Sequence, residues 1–276
     1  MADEKYVPLQ DELREDGKAR KCMIKMAVVF EGIHKLHGQY RLINPHYVIG
    51  HETLFWQDVL DEVSELYDIT KVNHIIIMGD GAGWIKSGKD EMKTDKTETS
   101  FILDKFHTMQ AVNHISIKYR SALRYYVQNN MLEDFKMMIE KIKDQYDEER
   151  CEKIHTKSLY LIRNWDAIQL MYHKSSFGCS MESHIQHILA SKLTEVPRAF
   201  KRDCLQKLVK LIAHHENHVN MMELYLKGLS KSGDVIRFED PLDFSIFDKK
   251  ADTYDRSDTS RSIVKALNNI GSGKYN

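Results

Sequence analysis

Residues 74–81 read HIIIMGDG, and no other stretch constrains the fold as tightly. The continuous apolar run of Ile75, Ile76, Ile77 and Met78 has no wet face, so it suits a strand covered on both sides of a sheet. Asp80 follows between Gly79 and Gly81, where the backbone can turn sharply and leave a carboxylate open at the strand's carboxyl end. Residues 101–104, FILD, repeat the arrangement and end in Asp104. Two consecutive strands therefore bring carboxylates to one edge of a sheet. The surrounding GDGAGWIK contains neither GxGxxG nor GxxxxGK[ST], so it is not a phosphate loop. The plainer role for such an acid is to start a turn or cap a helix.

Other strands precede this centre. Residues 6–10, 25–30 (KMAVVF) and 40–49 (YRLINPHYVI) are rich in β-branched and aromatic side chains and predict two or three antiparallel strands. Residues 52–67 place Leu54, Phe55, Val59, Val63 and Leu66 close to one helical face. The polar residues 87–100 read as a solvated loop. With only four prolines and thirteen glycines in 276 residues, the remainder is expected to be mostly long helices. Residues 108–172 carry no strand signal, residues 180–193 form another amphipathic pattern, and residues 198–227 hold one or two further helices. From residue 238 the chain mixes acids, Ser and Asp around one weak helical stretch at 263–267, as a partly disordered tail would. The divisions are thus residues 1–107, a helical insertion at 108–177, helices at 178–232 and a polar tail at 233–276.

Composition narrows the function classes. No run approaches the ~18 apolar residues of a membrane span, and MADEKYVPLQ has neither the basic start nor the apolar stretch of a signal peptide. The expectation is a cytoplasmic protein with no membrane partner. Cys22, Cys151, Cys179 and Cys204 never form CxxC, which favours free thiols over a disulfide scaffold or zinc knuckle. A net charge of −1 excludes a uniformly basic chain, so a polyanion must be met by a local patch. The one candidate is residues 192–210, where Lys192, Arg198, Lys201, Arg202, Lys207 and Lys210 face only Glu195 and Asp203. A phosphate-contacting surface and a solvated helix face are equally open readings of it.

Other candidate groups carry competing structural roles. Asp104 and His107, three apart, fall on one side of a starting helix, where the acid can orient the imidazole; an N-cap role for Asp104 is the alternative. Glu182 occupies a first helical turn that Ser180 could cap, so it can simply offset the helix dipole. HHENH at 214–218 falls short of HExxH because residue 219 is Val, leaving His214 and His218 at i, i+4 as a remote zinc pair. Cys179 has no nucleophile signature and reads as a small buried residue.

Taken in order, ADEKYVPLQ at 2–10, Phe30-Glu31-Gly32, GDGAGWIK at 79–86, FILDKFH at 101–107 and GCSMESHIQHILASKLTEVPRAF at 178–200 resemble the ISLre-type bacterial insertion-sequence transposases over nearly the whole chain to about residue 225. The resemblance implies a DDE transposase with an α/β, ribonuclease H-like mixed sheet, broken by a helical insertion before its last acid. It maps the catalytic acids to Asp3, Asp80 and Glu182, and matches Asp104 and His107 to a D-x-x-H element of related transposases. It further implies Mg²⁺ or Mn²⁺ held by Asp3, Asp80 and Glu182, and insertion-sequence DNA as partner, met by Lys192, Arg198, Lys201 and Arg202. It also implies a homo-oligomer or pairing with full-length transposase. In two-metal chemistry, carboxylates from separated segments hold two ions ~3.5–4 Å apart across a phosphodiester. Full-length members carry an apolar strand leading into the first acid, preceded by a DNA-binding region, so the resemblance implies N-terminal truncation, a poorly positioned Asp3 and a gap in the sheet. The residues after the glutamate, SKLTEVPRAFKRDC, depart from the family's Arg-rich turn, Trp and Gly. A non-catalytic DNA-binding or interaction remnant is the alternative reading.

Overall fold

The computed structural model describes residues 1–51, 53–174, 179–195, 198–224 and 226. Met1–Met221 forms one compact unit. Its architecture is mixed α/β. Strand β1 (Ala2–Leu13) pairs antiparallel with β2 (Ala19–Val29), with Asp3 opposite Met26. Strand β5 (His46–Gly50) lies on the other side of β2, with Val29 opposite His46. Strands β3 (Gly32–Leu36) and β4 (Gln39–Ile43) form a separate hairpin. Its turn residues His37 and Gly38 have φ of 49° and 82°, the left-handed pair that a two-residue turn needs to match strand twist.

Five strands therefore occupy the region expected to hold two or three. The hairpin escaped notice because most of its side chains are exposed or half-buried, leaving little apolar alternation to read. The acid expected to be poorly supported sits within a twelve-residue strand, and β2 holds its backbone in register.

Helix α1 (Phe55–Leu66) buries Phe55, Trp56, Val59 and Val63. Leu54 was expected on that face, but it is the residue before the first turn and is 68% exposed. Residues 87–100 are not a solvated loop. Helix α2 (Gly83–Glu91) runs through their first part and β7 (Glu98–Leu103) begins before their end. Buried Ile85 and Gly88 anchor α2, and Gly88 lies against the Trp56 indole, whose Nε1 donates to the Trp84 carbonyl at 2.5 Å. A glycine costs a helix about 1 kcal/mol relative to alanine, and here it permits the close approach. Strand β6 (His74–Gly79) pairs parallel with β7, from His74 opposite Glu98 to Gly79 opposite Leu103.

Helix α3 (Lys105–Ile115) starts directly from β7, so the helical part begins a few residues before its expected boundary at 108. It continues through α4 (Arg120–Gln128), α5 (Leu132–Lys143), α6 (Glu148–Arg163) and α7 (Trp165–Lys174). Leu123, Phe135, Ile154 and Leu161 are fully buried there. Next comes α8 (Met181–His184), a π-helical stretch Ile185–Ala190, α9 (Ser191–Leu193) and α10 (Arg202–Glu216). Phe200 joins the outer edge of β1, accepting from the Gln10 N–H at 2.9 Å and donating to the Pro8 carbonyl at 3.2 Å. The expected polar tail at 233–276 lies outside the described residues. Among the described residues no helix is long and apolar enough to cross a membrane.

The Gly88 contact yields a direct check. Gly88→Ala places a methyl into the Trp56 ring and should destabilise the chain by roughly 1–3 kcal/mol, despite alanine's better helix propensity. Urea unfolding measures it; a stabilised variant would show that the two helices do not pack this closely.

Candidate active site

The turn after β6 is shaped by its two glycines. A side chain on Gly79 would stand 2.7 Å from the Ala2 carbonyl oxygen, and Gly81 has φ of +89°, a region that suits glycine. Both flank Asp80, whose Oδ1 accepts from the Ala82 N–H at 2.8 Å. Helix α2 starts from this turn. Helix α6 closes over it, with the Tyr160 hydroxyl donating to the Asp80 carbonyl at 2.5 Å and the Asn164 amide against Gly81. Nothing in the sequence singles out Tyr160, one aromatic residue in an amphipathic helix. Its phenol is pushed well above its ordinary value by burial, then by the charges of Asp80 and Asp104, so it remains a donor.

The Gly79–Ala2 approach puts Asp3 and Asp80 one residue beyond a backbone contact. Asp3 Oδ1 accepts from the Glu4 N–H at 2.8 Å. Its carboxyl is raised to about 6, first by burial, with the charges of Asp80, Glu4 and Glu182 adding to it. Glu182 belongs to the same electrostatic group. It is exposed in the first turn of α8, and the preceding Ser180 Oγ reaches Met1 Sδ at 4.0 Å, which sets the helix start beside β1. Ser180 holds the N-cap position but makes no side-chain capping bond. The π-helical stretch begins just after, at Ile185; such widened turns are frequent at functional sites.

Both roles weighed for Asp104 are present at once. It is the N-cap of α3, buried, and accepts from the Phe106 N–H at 3.1 Å while pairing with His107 Nδ1 at 2.9 Å. The Asp104 N–H donates to the Gly79 carbonyl at 2.9 Å, tying the ends of β6 and β7 together. His107 is raised above its ordinary value chiefly by the Asp104 hydrogen bond, with the Asp80 and Asp3 charges contributing. Asp104 and Glu182 line a cavity of about 390 Å³ with Phe106, Cys179, Ser183 and His187. Burial lifts the Cys179 thiol to about 12, so the free side chain is not a thiolate nucleophile.

Among the described residues, no group of three or more His, Cys, Asp or Glu side chains is drawn together tightly enough to hold a metal ion. The remote His214 and His218 pair fails for a local reason. Helix α10 ends at Glu216 and His218 has φ of +56°, so the two do not share a helical face.

Of the basic candidates, Lys192 pairs with Glu216 and Arg202 makes a two-pronged contact with Glu12 at 2.8 and 2.7 Å. Arg198 and Lys201 are exposed. Sequence reasoning also missed a second charged group beside the acids. Glu4 accepts from Trp84 Nε1 at 2.7 Å, and Lys25 stands over the Trp84 and Phe55 rings at 5.3 and 5.8 Å.

Fold and site thus define a mixed α/β protein whose strand ends gather acidic side chains next to a histidine. The chain belongs to UPF0236, an uncharacterised protein family, whose model matches residues 1–226. Three UPF0236 proteins of Caldanaerobacter subterraneus subsp. tengcongensis are each 29% identical to it over 231 residues. These cover 81% of this chain and 47%, 48% and 45% of the relatives. The chain spans about half the length of the curated relatives it matches. No solved structure matches it significantly.

Asp3 gives the site a measurable pH signature. Its folded-state value near 6 lies above the ordinary aspartate value of 3.8, so the folded chain binds the proton more tightly. Stability is lost as pH rises from about 4 to about 6 and stays reduced above that. Asp3→Asn, without divalent cations, should therefore raise the melting temperature by about 3–6 °C at pH 7.5 and by little at pH 4. A gain independent of pH would mean that Asp3 does not sit in a buried, negatively charged setting.

Proposed function

We propose that this chain carries the catalytic core of a DDE transposase of the ISLre insertion-sequence type, acting on DNA through phosphodiester cleavage and strand transfer. The observation that carries the reading is the convergence of segments far apart in sequence: Ala2 against Gly79, Asp104 tied to Gly79, and the start of α8 beside Met1. The fold supports the same reading. An antiparallel group, a helix, a parallel pair ending in acids and a helical segment before Glu182 follow one another in the order expected of a ribonuclease H-like core with an insertion. The names of the relatives add support, since one joins eleven locus designations from a single strain and another joins four. Recurrence of a gene at many loci is what a mobile element leaves behind.

The donor chemistry suits Mg²⁺ or Mn²⁺, because Asp3, Asp80 and Glu182 offer hard carboxylate oxygens and the neighbouring Cys179 thiol stays protonated. When bound, the ions would supply an activated water or 3′-hydroxyl and neutralise the leaving oxygen. The chain's own residues do the rest. Tyr160 and Asn164 fix the Asp80 turn from α6, and the Asp104 carboxylate keeps His107 protonated to higher pH, presenting a cation to a phosphate. Arg198 and Lys201 offer exposed positive charge to DNA.

Purified protein should cut or join DNA bearing the ends of its own element only with Mg²⁺ or Mn²⁺, and Asp80→Asn or Glu182→Gln should abolish it. Activity in EDTA, or activity surviving both substitutions, would overturn the assignment. Tyr160→Phe keeps the packing but frees the Asp80 carbonyl, and should cost about 10-fold in rate. A second reading, a non-catalytic DNA-binding or interaction remnant, is favoured by the acids not closing into a ligating group in this structure. Gel shifts with element-end DNA but no cleavage at any metal concentration would select it.

A further inference from the structure

Glu4 directly follows Asp3, and Trp84 lies one helical turn beyond Asp80, so a bond between them spans the same two segments as the acids. That bond is present: Trp84 Nε1 donates to Glu4 Oε2 at 2.7 Å. Strands β1 and β6 belong to different sheets, so no strand ladder fixes the separation of Asp3 from Asp80.

Both partners are themselves held. The Trp84 indole meets Phe55 edge-on at 5.5 Å and tilts against Trp56 at 5.9 Å. Its backbone carbonyl accepts from Trp56 Nε1 and from the Ser87 hydroxyl at 2.9 Å. Glu4 sits opposite Lys25 across the β1-β2 ladder, and buried Lys25 stands 5.3 Å from the Trp84 ring. A carboxylate from β1, an indole from α2 and an ammonium from β2 thus share one setting.

Packing alone does not call for an acid here. A buried indole N–H needs an acceptor, and a neutral oxygen supplies one without adding negative charge. Glu4 instead has its carboxyl raised, by burial first and also by the charge of Asp80, with Trp84 and Lys25 opposing. What the carboxylate adds is strength, because a charge-assisted hydrogen bond is roughly twice as strong as a neutral one. A stiff link is of use where two acids of like charge must be kept at a set distance by residues outside them.

We propose that Glu4 and Trp84 are the positioning pair of the acidic site: their bond, with Lys25 behind it, sets the separation of Asp3 and Asp80. They act through the two acids rather than on the substrate. The effect on rate rests on the catalytic reading of those acids, whereas the effect on backbone motion does not.

The test uses the full chain and four variants. Trp84→Phe keeps a ring against Phe55 and Lys25 but removes the N–H, Glu4→Ala removes the acceptor, and Glu4→Gln retains an amide oxygen in its place. The fourth combines Trp84→Phe with Glu4→Ala. With Mg²⁺ and element-end DNA, Trp84→Phe and Glu4→Ala should each lower kcat about 10-fold at unchanged KM. The double variant should lose no more than either single one, and Glu4→Gln should recover most of what Glu4→Ala loses. Amide exchange at Ala82, whose N–H is bonded to Asp80 Oδ1, should speed up about 10-fold in both single variants without metal or DNA. Additive losses overturn the proposal. So does an equal loss in Glu4→Gln and Glu4→Ala, which would place Glu4 itself on the metal or substrate. A lower melting temperature with rate and exchange unchanged assigns the pair to packing alone and also overturns it. If the parent chain cuts no DNA, the catalytic reading fails by itself, and exchange at Ala82 still decides the positioning role: faster exchange upholds it and unchanged exchange overturns it. Should Trp84→Phe fail to fold, the two Glu4 variants carry the same comparison.

Discussion

The approach of Gly79 to the Ala2 carbonyl is the contact on which the rest of the site depends. It brings the parallel β6-β7 pair against the start of an antiparallel sheet that was built separately, and no side chain fits between them. Because the contact is backbone to backbone, the acids one residue further on, Asp3 and Asp80, owe their proximity to chain geometry rather than to mutual attraction. Burial first, and then their like charges, penalise the ionised form, which is why Asp3 holds its proton more tightly than an exposed aspartate. Gathering them costs stability, a pattern typical of sites selected for function rather than for folding.

The helical segment offsets part of that cost by its position. Helix α6 satisfies the Asp80 carbonyl with Tyr160 and fills the space above Gly81 with Asn164. Asp104 does similar service at the neighbouring strand end, because one buried carboxylate caps α3 and orients His107. Between them these residues leave the turn little freedom, and a functional constellation needs that rigidity from residues outside it.

How much was legible in the sequence follows from where each signal lay. The HIIIMGDG and FILD runs announce two strands with acids at their ends, which the structure pairs in parallel; the cover expected on both faces is incomplete, because Ile76 is 41% exposed. Residues 87–91 misled because their helix α2 rests on Ile85, Gly88 and Met92, with few apolar side chains among polar ones. The β3-β4 hairpin misled for the same reason on a strand. Tyr160 and Glu4 were invisible, because their roles come from which distant backbone or ring they meet, Asp80 for one and Trp84 for the other. No local pattern encodes that.

The placing of the acids ends at Asp3. Its strand is held on the β2 side by a ladder that begins at Met1 and Val28, and near β6 by the approach of Ala2 to Gly79. A catalytic arrangement tolerates a shift of only ~0.5 Å, so the position of Asp3 relies on both contacts.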